Sequence, residues 1–375
     1  MGKLFYLGHY SEPGKRAVFF TAQTMMNYVI EAINESGKEL TIISAASAPN
    51  GISTHPETSV INEKTDIIYL SCVKKSKTKN PFVKLFRRYK RERQIYEELD
   101  KIISDGDTLL VYHSLAFSKA LRKLRKKKKF TLILQVCEIY ADASEKKINR
   151  NKEIELIGIA DKYIFSSTIL ENELNKENKP YTICMGTYRA EPKLTDPIED
   201  GKIHIVYSGT FNPIKGGVFN ALDAVPYLDA RYHFHILGKG DEDAMRKFDV
   251  RARAVTAVSD CVVSYDGYLS GKRYKEALQK CKIGLSTHTA DASFNNTSFP
   301  SKILSYLSNG LRVVSSDILP VKESTLGKHL TYYKNDSGEE IANAIKGIDL
   351  SESYDSYEII KKHNEDFVAT LQKIL

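Results

Sequence analysis

The chain has 375 residues, 55 Lys or Arg against 47 Asp or Glu, a formal net charge of +8, and 42% hydrophobic residues. A chain of this size buries about three quarters of the surface it exposes when unfolded, which excludes a peptide-like or mainly disordered protein. Its longest apolar runs, such as Leu132–Val136, fall well below the roughly 20 residues of a membrane helix, and the run Leu4–Leu7 is too short for a signal peptide.

Short β-branched runs alternate with stretches of helical period. Lys3–Leu7 reads as a first strand, and Phe20–Glu35 as a helix with a stripe of Met25, Met26, Val29, Ile30 and Ile33. Leu40–Ile43, Ile67–Leu70, Leu109–Tyr112, Phe130–Val136 and Tyr163–Phe165 continue the strand series, with helical stretches at Leu115–Leu124 and Glu153–Ile159. Strands this uniformly apolar suit a parallel sheet covered on both faces. The pattern pauses over 191–201, where two prolines, a late glycine and several charges mark a linker. A second series follows, at His204–Tyr207, Tyr232–Leu237, Cys261–Ser264, Ile283–Ser286 and Leu311–Ser315. The expected architecture is α/β: two doubly wound Rossmann-like domains, 1–190 and 202–350, facing across a cleft. A last helix, within 351–375, would pack back across the junction. The five cysteines are odd in number and scattered, which fits a reducing cytoplasm, and none has metal-ligand spacing.

The loops of the second half carry the chemistry. Ser208-Gly209-Thr210 leads through Lys215, Gly216 and Gly217 into a helix expected near Val218. Glycines after a strand let a ligand approach the backbone, and a helix start favours an anion. Gly238-Lys239-Gly240 and Gly267-Tyr268-Leu269 follow the next two strands and would share the same sheet edge. Pro300 suits the first turn of another helix, with Ser301 and Lys302 beside it and Gly310 at its end. Lys215 and Lys302 would neutralise a diphosphate; a plain βα loop with solvated lysines is the alternative.

The segments “GTFNPIKGG”, “HILGKGD” and “FPSKILSYLSNGLRVVSSD”, in this order, make the chain resemble retaining nucleotide-sugar-dependent glycosyltransferases of the GT-B fold. The opening “YLGHYSEPGKRAVFFTAQTMMNYVIEAI” resembles the branch that builds bacterial surface polysaccharides. The resemblance implies sugar transfer from a nucleoside diphosphate to a saccharide acceptor without a metal or other cofactor. Lys215 matches the family's diphosphate lysine and Lys302 a lysine of the Phe-Pro-Ser-Lys branch, while Gly267 and Tyr268 match the loop bordering the base. Thr210 stands where an arginine is frequent. Two glutamates common in the family, one near the donor sugar and one on the ribose, are here Thr297 and Ser305. The implied donor set is Thr210, Lys215, Gly216, Gly240, Gly267, Tyr268, Pro300, Ser301, Lys302 and Ser305. Lys215 also belongs to the expected catalytic set. The missing glutamates keep a catalytically weak binding subunit open as an alternative, and a sugar-nucleotide epimerase is a second.

In the first half, Glu138 after Phe130–Val136 is the favoured acceptor-orienting residue or base, ahead of His113 after Leu109–Tyr112 and His9 in the first loop. Ten basic residues and one acid lie between Lys74 and Arg93, and eight basic residues with no acid between Lys119 and Lys129. With Phe82, Leu85 and Phe86 interleaved, these clusters fit an anionic membrane surface carrying a lipid-linked acceptor. An amphipathic helix packed on its own domain is the alternative. Nucleic acid is disfavoured, because no recognition module accompanies the charge. The expected location is the cytoplasm, at the inner face of the membrane.

Overall fold

The computed structural model describes residues 2–17, 19–48, 56–71, 80–143, 148–213, 216–289 and 299–375. Cys72, Lys215, Thr297 and the first part of the basic cluster at 74–93 lie outside these residues. The chain divides into two compact units, Met1–Thr187 with Asp366–Leu375, and Tyr188–Glu365.

Unit 1 runs β1 (Leu4–Gly8), α1 (Phe20–Glu35), β2 (Leu40–Ser44), β3 (Glu57–Asn62), β4 (Thr65–Tyr69), α2 (Pro81–Ile102), β5 (Thr108–Tyr112), α3 (Ser118–Lys127), β6 (Thr131–Val136), α4 (Tyr140–Ala143), α5 (Arg150–Ile157), β7 (Lys162–Phe165), α6 (Thr168–Leu174) and β8 (Tyr181–Ile183). Its sheet has the order β3-β4-β2-β1-β5-β6-β7-β8 and is parallel except for the antiparallel edge strand β3. Leu109, Val111, Leu132 and Leu134 are buried in one core cluster with α2 and α3 residues such as Leu99, Leu121 and Leu124. Each such side chain contributes roughly 1.5–3 kcal/mol of burial.

Unit 2 runs β9 (Ile203–Thr210), α7 (Val218–Asp223), β10 (Tyr232–Lys239), α8 (Glu242–Thr256), β11 (Val262–Gly267), α9 (Gly271–Gln279), β12 (Ile283–Ser286), α10 (Ser301–Leu307), β13 (Arg312–Ser316), α11 (Leu319–Lys322), β14 (Thr331–Tyr333) and α12 (Gly338–Lys346). The six strands are parallel in the order β11-β10-β9-β12-β13-β14. This is the doubly wound arrangement in which the strand order reverses between the first and fourth strands. Tyr306 ties that reversal together. Its hydroxyl accepts from Ser208 N at 2.8 Å and donates to Leu285 O at 3.2 Å, joining β9 to β12. A Cβ on Gly284 would lie 2.4 Å from the Tyr306 ring, so only glycine lets the ring rest on β12.

The last helix, α13 (Ser356–Ile374), begins in unit 2 and ends in unit 1. Phe367 stacks on Tyr28 of α1 at 5.4 Å, and Lys162 Nζ donates to Ile374 O at 2.7 Å. Among the described residues no helix is long and apolar enough to cross a membrane.

The basic stretch Lys119–Lys129 is largely answered within unit 1. Arg125 grips Asp161 through two hydrogen bonds of 2.6 and 2.7 Å, and Lys127 meets Asp100 at 2.5 Å. Lys119 meets Glu92 at 2.8 Å, and Glu92 also takes Arg88 at 3.0 Å, which staples α3 to α2. The acids that pair with this stretch are supplied by remote segments, while Lys119 and Lys127 keep much of their side chains exposed. The first turns of α2 differ. Phe82, Leu85, Phe86 and Tyr89 are more than half exposed.

Candidate functional site

Open parallel sheets bind ligands beyond the carboxyl ends of their strands, at the point where strand order reverses. In unit 2 that point is the end of β9 beside β12. Gly209 and Gly238 are register partners there, and a Cβ on Gly238 would lie 1.9 Å from Gly209 O. The paired glycines thus let the two strand ends run together with bare backbone. Gly217 caps α7 at φ +48°, where a Cβ would meet the Tyr207 hydroxyl at 2.5 Å. Thr287 Oγ1 donates to Gly217 O at 2.7 Å, and Gly216 bridges to His288, so the loop after β9 is fastened to the end of β12.

Lys302 reaches this place from α10. Its ammonium lies 4.1 Å from the centroid of the Tyr207 ring and 3.3 Å from where a Gly209 Cβ would stand. A cation on an aromatic face beside unshielded backbone is suited to an anion. Burial pushes the Tyr207 hydroxyl above its ordinary range, so it stays a neutral donor and acceptor. Asn220, on α7, adds a buried Nδ2 with no hydrogen-bond partner among the described residues, 2.6 Å from the position of a Gly216 Cβ. The sequence reading missed Asn220 and Tyr207; their signal was position alone, one in the first turn after the glycine pair and one two residues before Gly209.

The other expected donor residues fall around this point. Thr210 ends β9 and is exposed, and it pairs in register with Lys239. Lys239 lies over the Tyr268 ring at 4.2 Å, just past Gly267, which adopts φ +77°. Gly240 is packed against Phe211 and Ala244, so its small size serves the close approach of α8 to the strand end. Pro300 is the residue before α10 rather than inside it, Ser301 is exposed, and α10 has seven residues. Ser305 is engaged in a hydroxyl chain: its Oγ lies 3.1 Å from Tyr274 OH, which lies 3.0 Å from Ser208 Oγ.

In unit 1 the strand order reverses between β1 and β5, and His9, His113 and Glu138 all follow β1, β5 or the neighbouring β6. Their environments differ. His113 is buried; its Nε2 contacts Glu153 at 3.0 Å and its ring stacks on Tyr140 at 5.1 Å. Burial works to raise the Glu153 carboxyl, but His113 and the N–H groups of Tyr140 and Ala141 outweigh it and hold it below the usual range. His113 thus ties α5 to the strand ends. His9 faces Ala45 O at 3.1 Å and stacks on Phe117 at 5.1 Å. Burial and the charge of Arg91 push it down to about 4. Glu138 is half-buried, and its charge helps burial raise the neighbouring Cys137 thiol to about 11.

Residues 202–348 match the family described as glycosyl transferases group 1. No curated protein matches the chain in sequence. Solved structures share its fold over nearly its whole length. The α,α-trehalose-6-phosphate synthase of Burkholderia multivorans superposes with a TM-score of 0.71 at 9% identity, covering 100% of this chain and 95% of its own. The sucrose-phosphate synthase of Thermosynechococcus elongatus gives 0.65 at 14% identity, covering 100% and 97%. HepE of Anabaena, solved in complex with UDP, gives 0.65 at 11% identity, covering 99% and 97%. The fold is GT-B, with two Rossmann-like α/β units. At these identities the likeness concerns the fold alone.

Proposed function

We propose that this protein is a glycosyltransferase that moves a sugar from a nucleoside-diphosphate donor to a saccharide acceptor. The observation that carries the reading is the Lys302 ammonium set over Tyr207 beside the bare backbone of Gly209, at the strand-order reversal of the unit that matches the glycosyltransferase family. The UDP bound by HepE favours a nucleotide-sugar donor.

In this reading the bond between sugar and diphosphate lengthens as negative charge collects on the diphosphate. Lys302 and Lys215 offset that charge, and Asn220 donates to it. Transfer proceeds with retention: the departing diphosphate guides the acceptor to the same face of the sugar, so no carboxylate nucleophile is needed. Glu138 orients the acceptor hydroxyl or takes its proton. No metal or other cofactor takes part. Exclusion of water prevents donor hydrolysis from competing.

The acceptor is a lipid-linked saccharide of cell-surface polysaccharide synthesis, and the enzyme works at the inner face of the cytoplasmic membrane. The exposed Phe82, Leu85, Phe86 and Tyr89, interleaved with Arg88 and Lys90 on α2, support this part. A second reading, a binding subunit of low activity, draws on Ser305: it stands where the family's ribose glutamate is common and its hydroxyl is already engaged by Tyr274.

A donor panel read by mass spectrometry, with isolated lipid-linked saccharides as acceptors, tests the proposal. The expected result is a product one sugar heavier with release of one nucleoside diphosphate. Donor binding with neither transfer nor hydrolysis across the panel would favour the binding subunit.

A further inference from the structure

We propose that His204, His233 and His235 form a site for one divalent transition-metal cation of the zinc class. The placement follows from strand geometry. Side chains two apart on a strand share a face, so His233 and His235 of β10 point the same way. His204 of β9 is the register partner of His233 and joins them on that face. One ring nitrogen from each histidine lies within 4.8 Å of those of the others. His204 Nδ1 and His235 Nε2 are only 2.9 Å apart, on the line where a shared proton would give way to a cation. Tetrahedral zinc sites set imidazole nitrogens about 2.0–2.1 Å from the metal, which needs only a small opening of that pair.

The outward nitrogens strengthen the case. His204 Nε2 contacts Asp200 at 3.0 Å, His235 Nδ1 contacts Asp266 at 2.9 Å, and His233 Nε2 contacts Ser264 Oγ at 2.7 Å. Imidazoles that ligate metals characteristically donate their other N–H to a carboxylate or another acceptor, which fixes ring orientation and raises ligand basicity. All three outward nitrogens are held in this way. Three adjacent imidazoles would repel one another if protonated, and a cation removes that conflict. His204 is buried while His233 and His235 are half-buried, which leaves an entry path. Three nitrogen donors with a fourth position for water select zinc, cobalt, nickel or copper over magnesium or calcium, which prefer oxygen.

The site is separate from the diphosphate region. His204 is the second residue of β9 and Gly209 the seventh, roughly 16 Å along the strand at about 3.3 Å per residue, and His235 stands three residues, roughly 10 Å, before Gly238; the partner Asp266 directly precedes Gly267. The cation would clamp β9 to β10 without touching the reaction. The sequence alone does not suggest it, because His204 and the His-x-His pair sit on different strands and only register unites them.

The test uses untagged full-length protein stripped with a chelator and titrated with Co²⁺, then Zn²⁺. One equivalent of Co²⁺ with the visible absorption of a low-coordinate imidazole site is expected, displaced by Zn²⁺, with Mg²⁺ inert. His233→Gln/His235→Gln should abolish the spectrum, and Asp266→Asn, a half-exposed position, should weaken binding roughly 10–100-fold. Zn²⁺ should also raise the melting temperature of the wild type more than that of Asp266→Asn. No bound Co²⁺ at micromolar concentrations would overturn the proposal. So would a spectrum and affinity unchanged in both variants, which would place the metal elsewhere.

Discussion

The ammonium of Lys302 lies 4.1 Å from the centroid of the Tyr207 ring, while the hydroxyl of the same tyrosine fills the space that a side chain on Gly217 would need. One aromatic residue thus sets both the cation and the backbone turn of the proposed diphosphate site. Gly217→Ala should therefore act on both. Its φ of +48° disfavours a Cβ, and that Cβ would stand 2.5 Å from the Tyr207 oxygen. A loss of about 1–3 kcal/mol in urea unfolding is expected, together with weaker diphosphate binding. Unchanged stability and affinity would separate Tyr207 from the loop.

Glu138→Gln keeps the size of the side chain and removes its charge. Transfer should fall by about 10²–10⁴ if Glu138 is the base or an essential aligning charge. Donor affinity should stay within about twofold, because the proposed diphosphate contacts come from unit 2. Separate measurements of donor binding, donor hydrolysis and transfer check this. Near-normal transfer would exclude the role.

His9 makes stability depend on pH. Its basicity is depressed to about 4 in the folded protein, against about 6.5 in an unfolded chain. Between these values the unfolded chain binds more protons, so stability is fully present above about pH 6.5 and is lost as pH falls towards 4. The loss between pH 7.5 and 5 should be about 1–2 kcal/mol, allowing for partial solvent access. Urea unfolding of wild type and His9→Gln at both pH values reads it out, and parallel pH slopes for the two proteins would contradict it.

If α2 meets an anionic membrane, its exposed apolar residues and its charge should both matter. Wild type should sediment with anionic vesicles and much less with neutral ones. Phe82→Ser/Phe86→Ser and Lys90→Glu should each reduce the bound fraction, whereas Lys127→Ala should not, since that lysine is paired with Asp100. Equal binding to both vesicle types by all variants would remove the membrane from the account.

Much of the fold is legible in the sequence because parallel strands buried on both faces leave solid apolar runs. Phe20–Glu35 and Ile283–Ser286 are read with the bounds the structure gives them. The strands β3, β8 and β14 are not legible: β3 is an exposed edge and the other two have three residues each. β9 and β10 run past the predicted ends into Gly209 and Gly238, since the glycine pair extends the ladder instead of breaking it. Remote partners were the main obstacle at the sites. Glu153 lies 40 residues from His113, so their buried contact leaves no trace in the local sequence. The acids that answer Lys119–Lys129 come from α2, α5 and the segment before β7.

Binding of a nucleoside diphosphate at the carboxyl end of β9 is tested most directly by calorimetric titration. Wild type and Lys302→Ala would each be titrated with uridine, guanosine and adenosine diphosphates and with the matching nucleosides. Loss of one charge-assisted contact, roughly 1.5–3 kcal/mol, predicts that the variant binds its preferred diphosphate about 10–150-fold more weakly while nucleoside affinity is unchanged. A well-folded variant with wild-type diphosphate affinity, or a wild type that binds none of the diphosphates, would contradict the account.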